Sequence, residues 1–473
     1  MVVVLLAVST LFTLTFGKSD AFISSLFVNS KVDYSNLGWS EAFDQMNTCL
    51  AQNYAFGNWK GINWNALHTE FEPQIAAAEQ DGDKKAYYLA LREYVFSLPD
   101  GHVKLIGDEI GLRKAAIGGG YGFAAAQLDD GRIIAHIILS NGPAEQAGMV
   151  WGAEILTWNN QSILSALVQV STLWSGSPVA TREEINFRKL NLLTRGPVGH
   201  QITVTFRNPC ETTIRQTTLI ASDDQMALFK RSLVIGTQTS PLDLFIKPVE
   251  SQILPNGYGY LKINIEIPTF GGFNPVGMVR DAVAEFNDAD VPGVVIDVRS
   301  NAGGSDVMAA EMMAYFASEP MIYEQIAHMD KVGKLKVIGE IILKPASLTY
   351  TGPVSMLIDN NTVSTGEGFP LIMKSLKRGP VVGFCGTDGS MGMTGSSIKL
   401  PGGYTVEYPN GASLDANGII QCDSDSTLQG GILPDLRVPI TEETLKEIYV
   451  EDRDIVLETA ITFMVETDEK DRL

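Results

Sequence analysis

Three short stretches of this 473-residue chain hold residue types that could do chemistry. The first is Asn360-Asn361-Thr362-Val363-Ser364-Thr365-Gly366-Glu367-Gly368-Phe369-Pro370, which lies between a strand-like apolar run, 354–359, and a helix-like run, 371–376. Ser364 is there either a helix cap, because Ser364-Thr365-Gly366-Glu367 fits the Ser-x-x-Glu capping box, or a nucleophile. The second stretch, Leu98-Pro99-Asp100-Gly101-His102, places one of only five histidines just after a tight turn. A histidine so supported projects into a cleft on a rigid mount and titrates near neutral pH. The third, Asp297-Val298-Arg299-Ser300-Asn301-Ala302-Gly303-Gly304, follows an apolar strand. Its glycines let the chain turn sharply and leave backbone amides open to developing negative charge. No Gly-Lys-Ser/Thr follows and GxGxxG is absent, so an oxyanion hole fits this turn better than a phosphate loop.

The elements that must position these residues follow from periodicity. Residues 37–106 read as helices, with apolar spacing over 64–78 and 87–95, closing in a short strand at 103–106. From 112 to 221 the texture changes to short strands and glycines, with strands at 132–138 and 152–159. Residues 222–250 read as a connector. Beyond them the strand 258–263, helix 278–286, strand 294–298 and helix 309–316 alternate, which predicts an α/β domain with a buried sheet. The fold class is therefore multidomain α/β (α+β), with domains at 21–111, 112–221 and 251–440. A C-terminal helix at 441–473 carries 11 acids against 4 bases, a net of −7.

Composition narrows the function. The formal net charge of −20 and pI near 4.7 disfavour polyphosphates, so nucleic acid is not an expected partner. Residues 1–17 are apolar or small and uncharged, which predicts a signal peptide or membrane anchor at 1–20 and an exported, secreted or periplasmic protein. Cys49, Cys210, Cys385 and Cys422 allow three full disulfide pairings but make no CxxC pair, so no structural metal site is expected. Two glycosylation sequons occur, at Asn160 and Asn360. The second is so near Ser364 that it argues for a buried loop or a non-glycosylating source.

Residues 112–221 resemble a PDZ domain. Gly118-Gly119-Gly120-Tyr121-Gly122-Phe123 stands where that fold has its carboxylate-binding loop, followed by Gly142-Pro143-Ala144-Glu145-Gln146-Ala147-Gly148 and Gly152-Ala153-Glu154-Ile155-Leu156. The resemblance implies that Gly120, Tyr121, Gly122 and Phe123 bind a peptide terminus while the peptide adds to a sheet edge. A helical insertion at about 163–195 departs from the minimal pattern and leaves a pure scaffold role open.

The strand VVIDVRSNAGG, the segment LIDNNTVSTGEGF, the following GPVVGFCGTDGSMG and the terminal GGILPD, with LPDGHV upstream, resemble in order the C-terminal processing or tail-specific peptidases of family S41. The match spans about residues 40–440. It implies a crotonase/ClpP-like catalytic domain with a PDZ-like domain and a helical N-terminal region. It also implies a serine endopeptidase with a protein or peptide substrate and no cofactor. The family nucleophile falls on Ser364, with the amides of Gly303 and Thr365 as oxyanion donors and Glu367 as support. The lysine base of one branch would fall on Gly389 or Ser390 and is missing, which turns the expectation to His102, the base of the tricorn-like branch. Lys374, Lys377 and Lys399 are weaker substitutes. The third member, a late glutamate in that branch, has no counterpart, leaving Asp423, Asp425 or Gln429. Two rivals remain. One is a non-catalytic ligand- or peptide-binding protein on the same scaffold, and the other is a crotonase-type enzyme acting on acyl thioesters.

Overall fold

The computed structural model describes residues 31–107, 110–232, 247–267 and 274–471. The expected leader at 1–20 and part of the connector lie outside them. No helix among the described residues is long and apolar enough to cross a membrane.

The N-terminal part comprises strand β1 (Lys31–Asp33), helices α1 (Trp39–Asn53), α2 (Trp64–Asp81) and α3 (Lys84–Phe96), and strand β2 (Lys104–Ile106). Each helix start is satisfied by a nearby side chain. Asn63 accepts from Ala66 N and Asp83 from Lys85 N and Ala86 N, while Glu79 of α2 accepts from Trp39 N (2.6 Å) and Ser40 N (3.0 Å) at the head of α1. Gly82, at φ 66°, ends α2 in the left-handed conformation that glycine adopts without strain.

The second part holds α4 (Ile110–Ile117), β3 (Gly119–Gly120), β4 (Phe123–Gln127), β5 (Ile133–Ile138), α5 (Pro143–Gln146), β6 (Glu154–Trp158) and β7 (Gln161–Ser162). After these come α6 (Ile163–Gln169), α7 (Arg182–Leu193), β8 (Arg195–Gly196), β9 (Gln201–Arg207), β10 (Arg215–Ile220), β11 (Ser222–Asp223) and α8 (Ala227–Ser232). One antiparallel sheet runs β10-β9-β6-β5-β4, and a small one runs β11-β3-β8. The expected helical insertion resolves into α6 and α7.

The third part contains β12 (Val249–Ile253), β13 (Gly259–Ile263), α9 (Pro275–Asp288), β14 (Val294–Asp297), α10 (Asp306–Met313), β15 (Met321–Met329), β16 (Leu335–Leu343), β17 (Val354–Leu357) and α11 (Thr365–Leu376). It continues through β18 (Val381–Gly383), β19 (Ser396–Leu400), β20 (Tyr404–Tyr408), β21 (Gly411–Leu414), β22 (Leu436–Arg437), α12 (Glu442–Tyr449) and α13 (Ile455–Asp471). Its main sheet runs β12-β13-β14-β17-β18-β22 and is parallel from β13 onward. Alternation along β14 and β17 assigns the two faces. Val294, Ile296, Val354 and Met356 pack with α9, α10 and α11, while Val295 and Leu357 pack under α13. The acidic C-terminal region is thus two helices, and Arg299 pins the start of α13 to the end of β14 by pairing with both Asp297 and Asp454.

The helical N-terminal part has no separate core. Its Phe43, Leu50, Tyr54, Leu91 and Leu98 share one with Ile398, Leu400, Val406, Tyr408 and Leu414. The four-stranded sheet β1-β19-β20-β2 seals that union, with Lys104 of β2 opposite Glu407 of β20. Cys49, Cys210, Cys385 and Cys422 are all free thiols.

Candidate active site

Ser364 stands at the head of α11, at the C-terminal end of the central strands. Its backbone sits at φ 61°, ψ −135°, a strained region for a residue with a side chain, and its hydroxyl makes no capping bond to its own helix. The capping-box reading therefore fails at both ends. Glu367 turns away and accepts from Thr387 Oγ1 (2.5 Å), Gly389 N (2.9 Å) and Ser390 N (2.9 Å). Burial pushes the Glu367 carboxyl up to about 8, and the Asp388 charge adds to it against those three donors. The loop that Glu367 fixes returns the favour, because Ser390 O accepts the Ser364 N–H at 3.0 Å.

The turn at 297–304 is laced to the serine turn. Asp359 accepts from Ser300 N (2.8 Å) and Ser300 Oγ (3.0 Å), Thr362 Oγ1 donates to Val298 O (2.9 Å), and Val363 N donates to Asn301 O (3.0 Å). Gly303, at φ 85°, comes so near the serine that a Cβ on it would lie 2.6 Å from Ser364 Cβ. Only glycine fits there.

The two expected oxyanion donors differ. Thr365 N has no hydrogen-bond partner among the described residues, while its hydroxyl is fixed by Gly304 O (3.1 Å) and Asp306 Oδ1 (2.7 Å). Gly303 N, by contrast, donates to Asn301 Oδ1 at 2.8 Å and is not an open donor. The cause is local: the Asn301 side chain folds onto the amide two residues on, and its own Nδ2 is anchored on Ile263 O and Glu266 Oε1. Burial raises the neighbouring carboxyls, Glu266 to about 8 and Asp306 to about 6.

His102 lies on the turn between α3 and β2. Ser390 joins this turn to the nucleophile: Ser390 Oγ accepts the Gly101 N–H at 2.9 Å while Ser390 O holds Ser364. No hydrogen bond joins Ser364 Oγ to His102 among the described residues, and His102 Nδ1 is buried without a partner. Burial lowers the imidazole to about 4; Asp100 acts the other way, and Lys104 and Lys60 add to the lowering. Asp388 borders the same turn, with its Oδ2 2.8 Å from where a Gly101 Cβ would stand, and burial raises it to about 6.

Of the expected third members, neither Asp425 nor Gln429 is bonded to the imidazole among the described residues. Asp425 Oδ1 accepts from Thr427 N, Thr427 Oγ1 and Gln429 N and closes a local surface turn. Asp423 is buried, takes Met391 N on Oδ2 (3.0 Å), and stands 3.8 Å from the buried Lys60 ammonium, which donates to Ser424 O and Oγ. Lys374 and Lys399 serve surface pairs with Asp435 and Asp33. Two residues escaped the sequence reading. Asp100 had no role in the expected site, although an acid two residues before an amide is a ready acceptor, and Ser390 figured only as a place where the lysine base is missing.

The expected peptide-binding residues Gly120, Tyr121, Gly122 and Phe123 are buried and engaged. Gly120 pairs with Ser222 of β11 and Arg195 of β8, Tyr121 OH meets His200 Nδ1 (2.7 Å), and Phe123 pairs with Ile138. The Asp224 carboxylate, gripped by Arg195 at 2.7 and 2.8 Å, sits against Gly120. Leu228 and Phe229 of α8 then pack against Ala124 and Ile137, and Ile117 and Leu192. The chain's own residues 222–232 thus lie over this loop and the β4 edge. This part also holds the serine turn, through Asn360 Nδ2 to Glu184 Oε2 (2.7 Å), which buries the second sequon.

A strained serine at a helix head, at the C-terminal edge of a parallel sheet beside a glycine turn, is an arrangement that suits a nucleophile of the serine-hydrolase class. Residues 258–438 match peptidase family S41 and residues 36–84 match the tricorn protease C1 domain, which bears out the resemblance to the S41 peptidases. It is 24% identical to tricorn protease homolog 2 of Streptomyces coelicolor over 95% of this chain and 34% of that protein. It is likewise 24% identical to the carboxy-terminal processing protease CtpB of Bacillus subtilis, over 63% of this chain and 53% of CtpB. The chain thus spans about a third to a half of the length of these relatives. Among solved structures, the S499A mutant of CPAF superposes with a TM-score of 0.63 at 14% identity, covering 90% of this chain and 97% of that one. A peptidase from Parabacteroides merdae gives 0.52 at 16% identity, covering 91% and 97%. These likenesses support the fold.

Proposed function

We propose that this chain is a serine endopeptidase that cleaves peptide bonds through an acyl-enzyme on Ser364, with His102 as general base. The observation that carries the reading is the double grip of Ser390: one residue holds the amide of a strained serine whose hydroxyl is left unused, and the turn that bears the histidine. Burial keeps His102 neutral at pH 7, the form a base needs. In the proposed sequence His102 takes the Ser364 proton as Oγ attacks the carbonyl carbon. The oxyanion forms against the Thr365 N–H at the start of α11, where the helix dipole also favours negative charge. His102 gives its proton to the leaving amine, then takes one from the water that hydrolyses the ester and returns it to Ser364 Oγ as the acid leaves. The Gly303 amide joins as second donor once Asn301 releases it. No cofactor is required by this chemistry.

Labelling with a fluorophosphonate probe tests the reading on the parent, Ser364→Ala and His102→Ala. The Ser364 variant should lose all labelling, and the His102 variant should label at least about 1,000-fold more slowly. A parent that never labels yet binds peptides would favour the non-catalytic binder. Labelling that persists without Ser364 would sink the assignment of the nucleophile.

A further inference from the structure

A histidine base needs a carboxylate at its far nitrogen, both to fix the ring and to stabilise the imidazolium that forms when it takes the serine proton. None of the three residues expected from the sequence supplies it. Asp425 is spent on a surface turn that uses the Gln429 backbone amide, Gln429 is exposed, and Asp423 faces Met391 N and Lys60. Among the described residues, one carboxylate lies within 4.0 Å of the His102 ring: Asp100 Oδ1, 3.9 Å from Nδ1.

Asp100 is built for that task. It is fully buried, Oδ1 accepts the His102 backbone N–H at 2.8 Å, and Oδ2 accepts the buried Tyr54 hydroxyl at 2.8 Å. The carboxylate is therefore fixed at both oxygens. Closing 3.9 Å to hydrogen-bond length falls to the imidazole, whose Nδ1 has no hydrogen-bond partner among the described residues. Such contacts are often long in an empty site and tighten as the transition state forms. The charges on the ring from other elements are Lys104 of β2 and Lys60 from the turn after α1, both of which disfavour the imidazolium, so the carboxylate must offset them, and Asp388 borders the same turn at Gly101.

We propose that Asp100, held by Tyr54, is the positioning residue that orients His102 and stabilises its protonated form. This places the partner of the base two residues before it in the chain, on the same turn. The proposal rests on the reading of Ser364 and His102 as nucleophile and base.

The test measures the rate of fluorophosphonate labelling against pH for the full-length parent, Asp100→Asn, Tyr54→Phe and His102→Ala. Asp100→Asn should slow labelling at pH 7 at least about 100-fold. It should also move the acid limb of the profile to lower pH, because a negative charge beside the imidazole is gone. Tyr54→Phe keeps the carboxylate but frees one oxygen, so a loss of about 3- to 30-fold is expected. A rate within threefold of the parent in Asp100→Asn overturns the proposal, and so does a slower rate with an unmoved acid limb, the mark of a merely structural turn. If Asp100→Asn does not fold, Tyr54→Phe decides: an unchanged rate and profile overturns the proposal. If His102→Ala labels at the parent rate, the reading of the base itself fails. If His102 is required and Asp100 is not, only the positioning role fails.

Discussion

Two glycine-rich turns in this molecule look alike in sequence and behave oppositely. Around Gly303 and Ser364 the chain approaches itself closely, yet the Thr365 amide and the serine hydroxyl have no hydrogen-bond partner among the described residues. Around Gly119 and Gly120 the same residue type is paired on both sides, by β8 and β11, and an internal carboxylate, Asp224, fills the space beside it. Glycines permit an anion site; what decides is whether the fold has already supplied partners for the amides. In the first region Asn301 takes the Gly303 amide, and it is the adjoining serine turn that keeps its groups open, held from behind by Asp359, Glu367 and Ser390.

Filling the first turn should have the larger effect. Gly303→Ala puts a methyl 2.6 Å from Ser364 Cβ at a φ that disfavours side chains, so the serine must move. Labelling by a fluorophosphonate should fall at least about 100-fold with little change in far-UV circular dichroism. Retention of the parent rate would show that the approach of the two turns is not needed. Opening the second turn should do less. Leu228→Asp removes an apolar anchor of α8 from Ala124 and Ile137. Calorimetric titration with a peptide ending in an apolar residue and a free carboxylate should then detect binding that the parent lacks, with labelling of Ser364 within about threefold. Binding by the parent at the same affinity would break the contrast.

The smallest effect concerns buried carboxyls that support the turns. Glu367 and Glu266 are raised to about 8 and Glu184 to about 7, burial being the main cause. A folded pKa above the unfolded one means that this stability is present in full below about 4.5 and lost as pH rises through 7 to 8. His102, lowered to about 4, works in the opposite sense between pH 4 and 6.5 and adds nothing above that. Between pH 6.5 and 8.5 the acids act alone, and the melting temperature should fall by about 3 °C or more in scanning calorimetry. A flat profile would show those carboxyls to be better solvated than their burial implies.

Much of the frame was legible because burial on both faces writes plain apolar runs. Val294–Asp297 and Val354–Leu357 are strands where expected, and α2 and α3 follow the 3.6-residue period. The hairpin of β15 and β16 was not, since Glu324, Gln325, His328, Lys336 and Glu340 interrupt its alternation. The single C-terminal helix became two because Asp452 takes φ 55° and Arg299 seizes Asp454, a contact 155 residues away in sequence. At the site, the motif singled out Ser364 and His102 as candidates, but that the Gly303 amide is already taken depended on where the Asn301 side chain folds. That is set by Ile263 and Glu266, on another strand and beyond it.

The mount of His102 has a consequence for synthesis. The strand beside it, β2, pairs with β20, with Lys104 opposite Glu407, 303 positions later (407 minus 104). At about 5–20 residues per second a ribosome needs on the order of 15–60 s to cover that interval. During that time the histidine has emerged but its seat has not. The proposed base can settle only after the serine turn at 364 has also been made, so a growing chain would be safe from its own chemistry until β20 has been made.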